Sequence, residues 1–180
     1  MSKIVYCQLL CLLGSLFVPL TGSAQEPSLV SRDRVKLNLA GAEIILSAAK
    51  GQAAEMESKF NIAVVDDGGH LLAFARMDQA RPASAATAIT KAIAAATTRT
   101  ATGPLRRDGA EPDLLLNLSL QNAAAAGGSK MTSLLGGVPI VVDGQVIGAV
   151  GVGGGTGEQD AIVAKAGIER LLSELSQQKK

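Results

Sequence analysis

The sequence predicts an α+β fold: a single antiparallel sheet of about five strands with helices on both faces. Three observations carry that expectation. Two pairs of apolar runs are joined by short turn-forming links, Asp66-Asp67-Gly68-Gly69 and Asp143-Gly144, and links this short join only antiparallel neighbours. The run Ile62-Ala63-Val64-Val65 is apolar at every position, so both faces of its strand need cover. Segments with apolar residues three and four apart stand before, between and after the hairpins. The resulting order is α-β-β-α-α-β-β-β-α.

The chain begins with a segment set apart from this domain. Lys3 precedes the apolar run "IVYCQLLCLLGSLFVPL" and then "TGSAQEP". A basic start, an apolar stretch and small residues at the cleavage positions, Gly22 and Ala24, make residues 1–24 a secretory signal peptide, with 25–180 as the domain. The expected location is periplasmic or secreted, with no membrane association after cleavage. Both cysteines, Cys7 and Cys11, leave with the signal, as does Tyr6. The mature chain then has no disulfide, Phe60 and Phe74 as its aromatics, and equal numbers of acidic and basic residues. A neutral chain without a basic patch or stacking aromatics argues against nucleic acid as a partner. A core of Ala, Val, Leu, Ile and Gly implies backbones packed closely together.

Within the domain, Leu37, Ala40, Ile44 and Ala48 predict a helix from about Arg32 to Ser58, capped by Ser31 or Asp33 and weakened at Gly41 and Gly51. Ile62–Asp66 and His70–Met77 form the first hairpin, with Gly68 and Gly69 supplying the positive φ of its turn. Ala83 to about Ala101 is a second helix, with Ile89, Ile93 and Ala96 on one face. "TGPLRRDGAEP" is a loop, and "DLLLNLSLQNAAAA" is a third helix stopped by Gly127-Gly128. Met131–Leu134 reads as a short extra strand. Val138–Val142 and Gln145–Val152 pair around Asp143-Gly144. A last helix runs from about Glu158 to Ser176, with Thr156 and Gln159 as a capping box and Lys179-Lys180 as a solvated tail.

Several motifs bear on chemistry. "GAVGVGGGTGEQD" invites a phosphate-loop reading, but no Gly-Lys-Ser/Thr follows, and the third glycine of a G-x-G-x-x-G is replaced by Thr156. Its glycines instead let backbone approach a ligand or a neighbouring subunit. Asp66 and Asp67 are adjacent on an extended chain, so they point apart and read as turn residues, not an acid–base pair. No G-x-S-x-G is present, and one histidine without cysteine cannot supply a zinc site. A haem needs only one axial ligand. His70 and the methionines Met56, Met77 and Met131 are the side chains available for that, with His70 as a plain hairpin residue the alternative.

Taken together, "VVDDGGHLLAFARMDQA", "KAIAAATTRT", "GGVPIVVDGQVIGAVGVGGGTGEQD" and "VAKAGI" resemble the GlcG/HbpS-type haem-binding family, which includes the C-terminal domain of PduO-type corrinoid adenosyltransferases. The resemblance runs from about Val35 to Leu172. It implies an antiparallel sheet flanked by helices, assembly into homo-oligomers, and haem binding in some members, sometimes with haem degradation. His70 matches the histidine of the family's Asp-x-Gly-Gly-His turn and is the implied metal ligand. Arg76, Asp78, Ser84 and Lys91 match the polar positions after the first hairpin and on the second helix. Gly153, Gly154, Gly155, Gln159 and Asp160 match the glycine-rich segment before the last helix. The chain departs from the family at Asp78-Gln79-Ala80, where Asp-Gly-Ala is usual, and at "ATTRTATGP", which replaces a phenylalanine-containing segment.

The expected function is therefore an exported haem-binding protein for storage, sensing or degradation. One alternative is an enzyme or binding protein for a small organic acid, with Asp78, Lys91 or Asp160 in a pocket. Another is a structural oligomer without ligand. No catalytic residue is assigned at this level.

Overall fold

The computed structural model describes residues 29–107 and 111–178. The expected signal peptide with its expected cleavage point, and the Lys179-Lys180 tail, lie outside the described residues. The chain divides into two units at Arg32/Asp33. Of the first, only residues 29–32 are described; the helices and strands among the described residues all belong to the second.

Four helices and four strands succeed one another in the order α1 (Leu39–Glu55), β1 (Asn61–Asp66), β2 (Leu71–Arg76), α2 (Ser84–Thr98), α3 (Leu114–Ala126), β3 (Gly137–Val142), β4 (Gln145–Gly153) and α4 (Gly157–Gln178). The strands make one antiparallel sheet in the order β2-β1-β4-β3. The α+β class and the antiparallel sheet are as the sequence predicts. The strand count is four, because Met131–Leu134 carries no ladder and runs as a loop against the end of α2. Helix α1 starts later than expected, because Asn38 caps it: its side chain accepts from the Gly41 amide at 2.9 Å. Neither Gly41 nor Gly51 interrupts α1.

The sheet lies between two helical layers. Ile62, Val64, Ile140, Val150 and Val152 face α1 and α4, meeting Ile45, Ala49, Val163 and Ile168 in the larger core. Ala63, Val65 and Ala149 face α2 and its Ala88, Ala92, Ala95 and Ala96. This explains why β1 is buried along nearly its whole length. On the α2 side the packing is backbone on backbone. A Cβ at Gly151 would strike the Ala88 carbonyl and the Ala92 amide, and one at Gly137 the Lys91 carbonyl. Glycine and alanine at these positions are what let the helix lie directly on the strands.

Helix α3 stands apart from these layers. Its only buried residue is Asn117, which exchanges hydrogen bonds with the Leu105 backbone at 3.0 Å each way.

Candidate functional site

The chemistry-bearing side chains gather where β4 runs out towards α4. Ser84, Thr87 and Lys91 are spaced three and four apart, so α2 aligns them along one face. Lys91 reaches under the sheet end. Its Nζ donates to the Val152 carbonyl at 2.9 Å and to Asp160 Oδ2 at 2.6 Å. Asp160 sits in the first turn of α4, and its other oxygen accepts the Gly155 amide at 3.1 Å. The pair is almost wholly buried, with side chains 4% and 3% exposed. It pins α2, the glycine turn and α4 together.

Beside this pair opens a cavity of about 410 Å³, lined by Arg81, Ser84, Thr87, Lys91, the loop at 133–135, the glycine turn and Asp160. Arg81 Nε donates to Ser84 Oγ at 3.0 Å, and Asn61 Nδ2 donates to the Arg81 carbonyl at 3.0 Å. The turn is closed by the expected capping box: Thr156 N donates to Gln159 Oε1 at 2.9 Å, and Gln159 N to Thr156 Oγ1 at 3.3 Å. The glycines themselves are explained by packing. A Cβ at Gly153 would stand 2.8 Å from the Ser84 carbonyl, and one at Gly155 2.6 Å from the Phe60 ring.

The second feature is the β1–β2 turn. Asp66 Oδ1 accepts the amides of Gly68 at 2.9 Å and His70 at 2.8 Å, and the His70 Nδ1 lies 3.2 Å away. Burial pushes the Asp66 carboxyl up, but the two amides and the adjacent imidazole outweigh it and hold it below the ordinary carboxylate value. A carboxylate only accepts, so Nδ1 carries the proton, and in the neutral ring Nε2 carries the lone pair. The His70 side chain is 82% exposed. Only Gly69 has positive φ in this turn. Gly68 is small for another reason: a Cβ there would stand 2.9 Å from the His70 ring.

Of the sequence-predicted residues, Ser84, Lys91, Gly153, Gly154, Gly155 and Asp160 come together around the cavity, and Gln159 lies in the adjoining cap. Arg76 and Asp78 are exposed and outside its lining. His70 is at the other end of β1: Asn61 pairs with Gly153, while Asp66 pairs with Gly148. Arg81, Thr87 and Asn61 complete the cavity's surroundings without any motif to announce them, although Thr87 shares the helical spacing of Ser84 and Lys91. Among the described residues no group of three or more His, Cys, Asp or Glu could hold a metal ion, and no helix is long and apolar enough to cross a membrane.

Comparison with known proteins adds the family. The model described as haem degrading protein HbpS-like matches residues 37–169. The chain belongs to the HbpS-like family. Protein GlcG of Escherichia coli K12 is 44% identical over 121 residues, covering 67% of this chain and 84% of GlcG. The crystal structure of Klebsiella pneumoniae protein ORFY superposes with a TM-score of 0.67 at 30% identity, covering 81% of this chain and 97% of ORFY. A PduOC:haem complex superposes with a TM-score of 0.63 at 29% identity, covering 76% and 95% of the two chains. The GlcG/HbpS resemblance read from the blocks is thus shown, and with it a relation to haem-handling proteins.

Proposed function

We propose that this HbpS-like chain is an exported protein that binds haem through His70, as one of several copies in a homo-oligomer. The carrying observation is the Asp66–His70 pair. Asp66 fixes the tautomer and orientation of the ring and leaves Nε2 facing outwards, the arrangement that a metal-ligating histidine with a supporting carboxylate takes. The residues present fit a haem that would be held through the one His70 imidazole. Leu71, half exposed beside His70, offers apolar contact. Bound iron would supply the redox chemistry, and the chain's own contribution is to hold and orient the imidazole.

An exposed imidazole would leave the rest of a bound haem to be covered by another surface, which a second copy can provide. Helix α3 supports such an assembly. It contains no charged residue, yet Leu114, Leu115 and Leu118 are 72%, 74% and 50% exposed. A helix of that composition is ordinarily covered.

Hemin titration followed at the Soret band tests the reading, using mature protein recovered from the periplasm with Gln25 at its N-terminus. Saturable binding with a shifted Soret band is expected, and His70→Ala is expected to abolish the shift. A spectrum identical to free hemin, or one unchanged by His70→Ala, would rule out His70 as the ligand.

A further inference from the structure

We infer that the cavity at the end of β4 is a second site, distinct from His70, which binds a small carboxylate anion. Its charge is unbalanced. Lys91 and Asp160 neutralise each other at 2.6 Å, and Glu158, on the first turn of α4, is exposed and outside the lining. Arg81 therefore leaves the cavity one positive charge in excess.

Two donors at the site are unspent. Arg81 is anchored by Nε to Ser84 Oγ, while its terminal nitrogens have no partner among the described residues. A guanidinium fork held at one end suits the two oxygens of a carboxylate. The Lys91 ammonium has three protons. Two go to Val152 O and Asp160 Oδ2, and the third has no acceptor among the described residues, although the side chain is only 4% exposed and lines the cavity. These two bonds satisfy the ammonium, and its third proton stays available to an acceptor in the cavity.

The space, about 410 Å³, admits an acid of a few carbons with its waters. A carboxylate balances the single excess charge, whereas a phosphate dianion would leave one negative charge uncompensated. The site is also separate from His70. The six residues of β1 from Asn61 to Asp66, five steps apart end to end, span roughly 17 Å, so the two features lie at opposite ends of that strand.

The test is calorimetric titration of the mature protein with sodium acetate, sodium propionate and sodium phosphate at constant ionic strength, against sodium chloride. Acetate and propionate are expected to bind saturably, phosphate not. Arg81→Gln is expected to weaken acetate binding on the order of tenfold while leaving the melting temperature without ligand unchanged. Ser84→Ala, which releases Nε, is expected to weaken it severalfold and serves if Arg81→Gln folds poorly. His70→Ala is expected to bind acetate like the parent. No saturable heat, or equal binding in both cavity variants, overturns the site. Phosphate binding without acetate binding overturns the carboxylate assignment. Loss of acetate binding in His70→Ala overturns the separateness. Hemin titration of the same preparations reports on His70 alone, so the two readings stand or fall separately.

Discussion

Asp66 accepts three hydrogen bonds at the tip of the first hairpin, two of them from backbone amides. Its carboxyl is held below the ordinary value against the upward push of burial. A depressed folded value stabilises the fold above the unfolded value, and that contribution is lost as pH falls through the folded one. Asp66→Asn is therefore expected to melt below the parent at pH 7. The gap should close towards pH 2, where both carry a neutral side chain, and a gap unchanged across that range would contradict the assignment. Lys91 and Asp160 make the opposite kind of pair, buried and mutually dependent. Lys91→Met is expected to cost about 3–5 kcal/mol in urea unfolding by stranding Asp160, and Lys91→Met with Asp160→Leu to recover much of it. Both Asp66 and Lys91 were legible as polar residues of quoted motifs. Asp160 and His70 were legible in the same way, but which residue each would pair with was not, because the Lys91–Asp160 contact spans 69 positions and His70 meets Asp66 only once the turn closes.

At the scale of elements, the contact between α2 and the sheet decides the architecture on that face. Ala88 and Ala92 lie over Gly151, whose missing side chain is the space the helix backbone fills. Gly151→Ala is expected to destabilise by about 1–3 kcal/mol or to prevent folding, since an added methyl forces the helix away from the strand. Gly51→Ala, in α1 with nothing within 4 Å of the added Cβ, is expected instead to stabilise by about 0.5–1 kcal/mol. Urea midpoints of the two variants measure the contrast. The helices and hairpins were legible from period, turn pairs and caps. That Met131–Leu134 forms no fifth strand was not, because the segment is too short for its apolar character to distinguish a strand from a loop packed on a helix.

At the scale of the whole molecule, the His70 tip and the leucines of α3 are both exposed in one copy. If a second copy covers α3, Leu115→Glu with Leu118→Glu is expected to lower the molar mass in light scattering to that of one chain. Both positions are exposed, so the fold of the single chain should survive. An unchanged mass would place the assembly contact elsewhere.

The sequence by itself determined the α+β class, the two hairpins, the capping box at Thr156 and Gln159, and the family, because each rests on local spacing or on ordered blocks. Only the tertiary structure decided that His70 and the Lys91–Asp160 pair are separate features. Antiparallel pairing sends β1 and β4 past each other and carries Asp66 and Gly153 to opposite ends of the sheet. The tertiary structure also decided that Arg81 joins Ser84 and Lys91. The extended end of β1 holds the Arg81 carbonyl through Asn61, 20 positions away, and no periodicity in the chain records that bond.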